Sequence, residues 1–460
     1  MSLALNEYIL DDIINITSNK VDTKNLVLQQ YISTENMLPD RKGICLAASM
    51  PSGKVNQFLK NDTLFSNIRT YFRKVWFASF DGGSSPDVLI FRTKDVEVLD
   101  PRFLYYLISD QKFIDYSDKT SKGAKMPRGD KSAILNYKTY LPTLSVQKRI
   151  SKILSDLDDK IYLNNQTNQT LESIAQAIFK SWFIDFDPVR AKIAAKQEGK
   201  DPELAAMCAI SGKSETELEQ MAKDDFAELQ ATAALFPAEL MESELGKVPN
   251  GWLPVNIEYF IELIYGKALK KTERIHGVYP VYGSGGLTGW HNKALVKGPG
   301  VIIGRKGTIG SIFLENKDFY PIDTTYYVKT KNNCSLLFAY YLLQTLGLEK
   351  MNTDAAVPGL NRQNFYHLEV PFYPSDLIEK YTKTIENIIS KNLSIKKENE
   401  YLIGMRDSLL PKLLSGEVAL GDVIILYHRS HMQHHLTLLC IGTCAHHVQI
   451  CHSGIRHYFI

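Results

Sequence analysis

The sequence is an imperfect duplication, and this repeat constrains the fold more than any other feature. The hydrophobic-Pro pair at 126–127 recurs at 357–358, 231 residues later, and each pair is followed by a glycine and polar residues. An alternating run then ends in an aliphatic-Pro pair at 141–142 in one copy and at 370–371 in the other. A long helical pattern follows both pairs. The repeat therefore predicts one architecture built twice.

Each copy ends in a helix with an apolar stripe. In the first helix the stripe consists of Ile150, Leu154, Leu157, Ile161, Asn164, Asn168, Leu171, Ala175, Ile178 and Trp182. In the second it consists of Tyr381, Ile385, Ile388, Asn392, Ile395, Asn399, Leu402, Arg406, Leu409 and Leu413. Alternating steps of four and three residues are typical of a coiled-coil seam, because they average 3.5 residues per turn.

A polar residue interrupts both stripes at the same step, Asn168 in one and Asn399 in the other. Asn on such a seam costs stability but fixes register. We therefore predict that the two helices pair as an antiparallel coiled coil. The alternative is two unrelated amphipathic helices, each packing on its own domain. Pro411 is expected to break or kink the second helix near its end.

The rest of each copy is strand-rich. Runs such as DVLIFRT (87–93) and TTYYVKT (324–330) carry β-branched and aromatic residues, and a Tyr-rich helix follows in each copy (102–108 and 337–343). The predicted class is α+β, with two α/β domains separated by two long helices. The expected boundaries are domain one at 1–142, helix one at 143–200, a helical linker at 201–244, domain two at 245–371 and helix two at 372–418.

Basic residues cluster on the connections of both strand-rich domains, although the formal net charge is only +2. A protein held on DNA by charge alone would be more basic, so DNA binding would have to use local patches. Lys and Arg supply phosphate contacts, and Arg, Asn and Gln on loops can reach base edges. A merely solvated face is the alternative for any one residue. The candidates are Arg69, Arg73, Lys74, Lys122, Lys125, Arg128, Lys131, Lys267, Lys270, Lys271, Arg274, Arg305, Lys306, Asn361, Arg362 and Gln363.

Catalytic motifs are missing from the sequence. The chain has no Pro-Pro pair, which an amino-methyltransferase motif would need. Pro86-Asp87 is followed by Arg92-Thr93-Lys94, so the second carboxylate of a common metal-dependent nuclease is absent. The glycines at 304–310 are not followed by Gly-Lys-Ser/Thr, which favours tight hairpins over a phosphate loop. We expect no catalytic residue, no metal and no cofactor.

The two ends of the sequence differ in composition. The first residues carry acids where a signal peptide would be basic, and no apolar run is long enough to span a membrane, so a cytoplasmic protein without membrane contact is expected. The last 42 residues, 419–460, hold eight of the eleven histidines and three of the six cysteines. A non-native or frameshifted extension is favoured for this tail over a metal site, because its cysteines lack paired short spacing.

Taken together, the chain resembles the specificity subunits of type I restriction–modification enzymes over roughly residues 1–418. The resemblance is carried by SWFIDFDPVRAK (181–192), ESELGKVPNGW (242–252), YPVYGSGGLTGW (279–290), AAVPGLNRQNF (355–365) and LLPKLLSGEV (409–418), in this order. It implies two target-recognition domains, each reading half of a split site in double-stranded DNA.

The same resemblance implies partners for the helices. They would act as a spacer and as a dock for two methyltransferase (M) subunits, with restriction/translocase (R) subunits joining the complex. The first copy departs from the family pattern, because Met-Pro-Arg-Gly-Asp (126–130) stands where the second has Pro-Gly-Leu-Asn. A coiled-coil scaffold that ignores DNA sequence is the alternative function.

Overall fold

The computed structural model describes residues 5–123, 126–351 and 359–417. Its chain divides into two compact units. Unit 1 consists of the described residues up to Asn164 together with 398–417, and unit 2 consists of those between Asn165 and Lys397. Each unit therefore contains one strand-rich region and a stretch of each long helix.

The elements of the first copy run from β1 to α5. They are β1 (Asn6–Ile9), α1 (Leu10–Ile13), β2 (Ile14–Ile16), β3 (Lys20–Asp22), β4 (Tyr31–Ile32), β5 (Lys54–Phe58), β6 (Thr63–Ser66), β7 (Val75–Phe77), β8 (Gly82–Ser84), β9 (Val88–Thr93), α2 (Pro101–Ser109), α3 (Gln111–Lys119), α4 (Lys131–Leu135), β10 (Lys138–Leu141) and α5 (Leu144–Phe183).

The joining segment is helical and ends in a hairpin. Its elements are α6 (Asp187–Gln197), α7 (Pro202–Ser211), α8 (Glu215–Glu219), α9 (Lys223–Ala234), β11 (Leu240–Ser243) and β12 (Gly246–Pro249). Lys192 on α6 is buried and donates to the carboxylate of Glu203 at 2.7 Å and to the carbonyl of Phe236 at 2.9 Å. Its ammonium group therefore links α6 to α7 and to the chain just after α9.

The second copy repeats the plan of the first. Its elements are β13 (Pro254–Asn256), β14 (Ile261–Tyr265), β15 (Tyr279–Gly283), β16 (Gly286–His291), β17 (Gly300–Gly304), β18 (Ile312–Glu315), β19 (Tyr320–Pro321), β20 (Thr325–Thr330), α10 (Leu336–Thr345), α11 (Arg362–Tyr366), β21 (Glu369–Pro371) and α12 (Ser375–Leu414).

The duplication extends to the sheets. The central sheet of unit 1 has the order β2-β9-β6-β7, and that of unit 2 has the order β14-β20-β17-β18, with every pair antiparallel. A two-stranded pair joins the ends of each copy, β1 with β10 and β13 with β21. The helices α2 and α10 begin alike, because Asp100 accepts a hydrogen bond from the Phe103 amide and Ser335 accepts one from that of Phe338.

The apolar stripe of the long helices is a buried seam. None of its residues is exposed. In unit 1, Asp158 contacts Arg406 and Asn164 contacts Asn399, so residue numbers rise on α5 as they fall on α12. In unit 2 the order is the same, since Asn392 donates to the Asn168 carbonyl and Tyr381 to that of Ala175. The prediction of an antiparallel coiled coil is confirmed.

Two details of the helices differ from expectation. The first helix ends at Phe183, because Phe186 adopts a left-handed backbone conformation and a separate helix begins at Asp187. The second continues through Pro411 to Leu414, so of the expected break or kink, the break is wrong. Pro411 removes one backbone hydrogen bond of the last turn, and the packing of the buried leucines beside it in the core of unit 1 offsets this loss. The domain boundaries themselves remain predictions.

A buried ionic network links the two helices in unit 1. Arg406 donates to Asp158 at 2.8 Å and lies 3.0 Å from Asp407, and its side chain is only 6% exposed. Asp158 also accepts a hydrogen bond from the Tyr106 hydroxyl at 2.8 Å, and Asp407 contacts the buried Arg41. Each charge therefore depends on its partner, because an unpaired charge is costly inside a protein.

We expect Asp158→Ala to destabilise the chain by about 3 kcal/mol, because it leaves Arg406 and the Tyr106 hydroxyl without this partner. Asp156→Ala, two residues earlier on the same helix, is the matched control. Its carboxylate pairs with exposed Lys152, and its loss should cost about 0.5 kcal/mol or less. Urea unfolding measures both variants, and equal losses would contradict the role of the buried network.

Candidate nucleic-acid interface

Four segments of unit 2 meet at one end of its central sheet. The amide of Leu360 donates to the Arg305 carbonyl at 2.8 Å, and Lys306 forms an isolated bridge with Gly359. The Tyr326 hydroxyl donates to the Leu360 carbonyl at 3.1 Å. These bonds fix the loop after β17 against the segment that leads into α11.

The helix α11 is held by its cap and by a tyrosine. Asn361 accepts hydrogen bonds from the amides of Gln363 at 2.8 Å and Asn364 at 3.3 Å. The Tyr366 hydroxyl accepts one from the Leu263 amide of β14 at 3.0 Å. Both ends of this short helix are therefore anchored, and the backbone of Arg362 has a defined position.

Two guanidinium groups lie over tyrosine rings at this site. The Cζ atom of Arg305 is 5.1 Å from the ring centre of Tyr265 and 5.8 Å from that of Tyr326. The Cζ atom of Arg362 is 5.0 Å from the ring centre of Tyr265 and 6.0 Å from that of Tyr366. These distances are within the range of cation–π attraction. Burial raises the pKa of Tyr326 to about 12, so its hydroxyl stays protonated at neutral pH and keeps its bond to Leu360.

These residues surround an open pocket of about 300 Å³. Five predicted residues line it together with two tyrosines and the backbone of the loop: Arg305, Lys306, Asn361, Arg362 and Gln363, with Tyr265, Tyr326, Gly359 and Leu360. No carboxylate occurs among the described lining residues, whereas three cations do. The pocket therefore suits phosphate oxygens or the hydrogen-bond acceptors of base edges.

Unit 1 contains the same loop arrangement. Asp130 caps α4 and accepts from the amides two and three residues later, as Asn361 does 231 positions further on. The Gly129 amide donates to the Asn67 carbonyl at 3.1 Å, which matches the bond from Leu360 to Arg305. By this correspondence Lys131 stands where unit 2 has Arg362. Lys131 and Arg69 are both exposed.

The chemistry of the unit 1 loops differs from that of unit 2. Arg128 forms an ion pair with Asp87 at 3.0 Å, and Lys122 forms one with Asp130. Asp87 occupies the position that Thr324 has in unit 2. The backbone carbonyl of Asp87 accepts a hydrogen bond from the Asn67 amide, and that of Thr324 accepts one from the Arg305 amide. Two predicted cations are thus paired with acids, although such exposed pairs are weak and can exchange partners.

Two other predicted DNA-binding residues of unit 1 interact with the domain itself. The Lys74 ammonium donates to the Thr34 carbonyl at 2.6 Å. Arg73 is half-buried, and burial together with the neighbouring Arg41 cation lowers the pKa of its guanidinium. Both are less exposed than Arg69, and a DNA contact remains a prediction for all three residues. Lys125 is outside the described residues, and so is the 419–460 tail.

The remaining candidates follow Tyr265 in the chain. Lys267, Lys270 and Lys271 are exposed, and Lys270 lies 3.8 Å from the carboxylate of Glu273. Arg274 reaches across and donates to the Thr288 carbonyl of β16 at 2.8 Å. These four residues do not line the pocket and form a separate basic stretch beside it.

Sequence reasoning missed the tyrosines of the site. Tyr265 closes β14 immediately before the basic stretch, and Tyr326 pairs with it in register on β20. Tyr326 occurs in the run at 324–330 that the sequence predicts as a strand, whereas the strand ending at Tyr265 is not predicted. The signal that could have found both is an aromatic residue at a strand end next to a cationic loop. In the described parts of the chain no group of three or more His, Cys, Asp or Glu side chains is placed to hold a metal ion. No helix there is long and apolar enough to cross a membrane.

The chain belongs to the family described as the type I restriction modification DNA specificity domain, whose model matches residues 6–173 and 249–402. The two matched stretches correspond to the two copies of the repeat. The resemblance predicted from the sequence is confirmed, and the family favours DNA recognition over a scaffold that ignores DNA.

Named relatives agree with this assignment. The specificity subunit of the HindI type I restriction enzyme from Haemophilus influenzae is 29% identical over 90% of this chain and 99% of its own length. The MjaIX specificity subunit from Methanocaldococcus jannaschii is 22% identical over 70% of both chains. Among solved structures, the type I S subunit from M. genitalium is 17% identical with a TM-score of 0.48, covering 89% of this chain and 96% of the other. The HsdS subunit from Thermoanaerobacter tengcongensis is 16% identical with a TM-score of 0.32, covering 90% and 97%.

Asn361 caps α11 and is also a predicted DNA-contacting residue, and substitutions can distinguish these two roles. We expect Asn361→Ala to cost about 1 kcal/mol, because two amides lose their acceptor. Asn361→Asp should keep the stability, since Asp130 caps α4 in the same way. Thermal unfolding measures both. If the Asp variant is as unstable as the Ala variant, the amide group has a structural role beyond the cap.

Proposed function

We propose that this chain reads a bipartite DNA sequence for a type I restriction–modification complex, with one loop surface in each unit contacting one half of the target. Membership in the DNA specificity family supports this function. The duplicated loop-and-cap arrangement supports the division into halves, because each copy presents its own side chains at an equivalent place.

The observation that carries the proposal is the pocket of unit 2, where Arg305, Lys306 and Arg362 converge without a described carboxylate. Phosphate contacts position a protein on the duplex, and side chains such as Arg and Asn specify bases in the major groove. A pocket open to solvent and lined by both kinds of side chain can do both. Lys306 is exposed and suits phosphate, whereas Arg362 is held on rings and suits a defined base contact.

The proposal extends to partners and to chemistry. The antiparallel helices α5 and α12 would serve as a spacer and as the dock for two methyltransferase subunits, with restriction/translocase subunits joining the complex. The chain itself would catalyse nothing, because its sequence lacks the motifs of an amino-methyltransferase, a metal-dependent nuclease and an ATP-driven motor.

Arg362→Ala should relax the target at one position of one half-site and leave the other half unchanged, because the two units carry separate loop surfaces. The lost discrimination is expected to be roughly 1–3 kcal/mol. Methylation profiling of cells that carry the whole system measures it. Lys329→Ala is the control, since Lys329 is exposed on β20 and lies 3.9 Å from Glu262, and it is not among the residues lining the pocket. Uniform weakening at all targets would assign Arg362 to a phosphate instead.

The purified chain should leave DNA unchanged in the presence of magnesium, ATP and S-adenosylmethionine. Gel electrophoresis tests for cleavage, and incorporation of labelled methyl groups tests for methylation. Turnover that persists through purification, and that follows the chain rather than a contaminant, would refute the non-catalytic role.

A further inference from the structure

Tyr265 occupies a central position in the unit 2 pocket. Its ring lies 5.1 Å from the Cζ atom of Arg305 and 5.0 Å from that of Arg362. The two arginines come from different segments, the loop after β17 and the start of α11. Tyr265 comes from a third segment, the end of β14. One aromatic ring therefore contacts both cations without belonging to either of their loops.

The ring of Tyr265 is itself fixed. Its residue pairs with Tyr326 in the antiparallel register of β14 and β20, and the two ring centres are 5.0 Å apart. Tyr326 is buried and bonded to the Leu360 carbonyl. The platform under the arginines is thus part of the sheet, which is more rigid than the loops that carry the guanidinium groups.

The guanidinium groups of Arg305 and Arg362 repel each other, and this repulsion has to be offset for both to lie near one ring. Within the described part of the chain, neither Arg305 nor Arg362 forms an ion pair with a carboxylate, and the buried Nε atom of Arg305 has no hydrogen-bond partner. Attraction to the electron-rich ring offsets part of the repulsion between the cations. Both guanidinium groups line the open pocket, where their other N–H donors can meet a ligand that offers several acceptors.

We propose that Tyr265 is a positioning residue, which holds Arg305 and Arg362 as one unit so that together they read a guanine in the half-site of unit 2. This inference rests on the proposed function. An arginine that stacks on a ring keeps its planar edge of donors in a set direction. Guanine presents two adjacent acceptors, N7 and O6, in the major groove, and a bidentate arginine is the commonest specific contact to it.

Unit 1 has no equivalent of the two arginines held on a tyrosine ring among its described residues. Leu89 occupies the place of Tyr326, the residue that supports the Tyr265 ring in unit 2, since Phe65 pairs with Leu89 as Ile303 pairs with Tyr326. Asn67 occupies the place of Arg305. The effect of altering Tyr265 should therefore be confined to one half of the target, and the other half serves as a control for folding within the same molecule.

The test uses methylation profiling of cells that carry the complete system with the parent chain or with Arg305→Ala, Arg362→Ala, Tyr265→Leu or Tyr265→Phe. We expect Tyr265→Leu to lower discrimination about tenfold at the same guanine as the arginine variants. Tyr265→Phe should retain it, because the ring remains. Tyr265→Leu combined with Arg362→Ala should add little to Arg362→Ala alone, since the residues act as a unit.

Binding of the purified chain to duplexes with 7-deazaguanine at that position provides a second measurement, since this base lacks the N7 acceptor. Parent and Tyr265→Phe should lose affinity on this replacement, and Tyr265→Leu should not respond to it. If both arginine variants relax the target and Tyr265→Leu does not, the positioning role is wrong while the proposed function stands. If the half-site contains no guanine, or the substitutions weaken all sequences alike, the guanine assignment is wrong. If no variant alters either half-site, this pocket is not the reading surface.

Discussion

The antiparallel seam between α5 and α12 is the interaction on which each unit depends. The core of unit 1 includes Leu402, Leu409 and Leu413 from the far end of the chain, beside the first turns of α5. The core of unit 2 includes Trp182 from the end of α5. The core of unit 1 is therefore completed from two distant stretches of sequence, whereas unit 2 is one uninterrupted stretch whose core takes in parts of both long helices. The apolar seam residues stabilise this pairing, and the buried asparagines and the Arg406 network favour one register of it.

The seam and the family could be predicted from the sequence alone. The seam follows from the spacing of apolar residues, and the family follows from motifs in a fixed order along the chain. A 4-3 stripe depends on residue type and step alone, and no position of the seam is exposed. The continuation of α12 through Pro411 was not predictable, since it depends on buried leucines around the last turn. For the candidate site, charge patterns indicated Arg305 and Arg362, but the role of Tyr265 required the register of β14 on β20. The lowered pKa of the Arg73 guanidinium likewise depends on its burial and on the Arg41 cation, which is distant in sequence.

The two loop surfaces share a backbone plan and differ in charge. In unit 2 the pocket brings cations and tyrosines together, whereas in unit 1 Asp87 and Asp130 stand beside Arg128 and Lys122. Acids at such a surface can accept hydrogen bonds from the amino groups of bases, a chemistry that arginines cannot supply. One scaffold thus carries two different sets of donors and acceptors, which is what a target with two dissimilar halves requires.

The capping position at the start of α4 and α11 has a consequence for how such surfaces change. Asp and Asn cap a helix about equally well, and the two copies use one of each. Their codons differ by a single nucleotide. A point mutation there alters the local charge by one unit at little cost in stability, so on the proposed function the charge offered to DNA can change without first passing through a poorly folded protein.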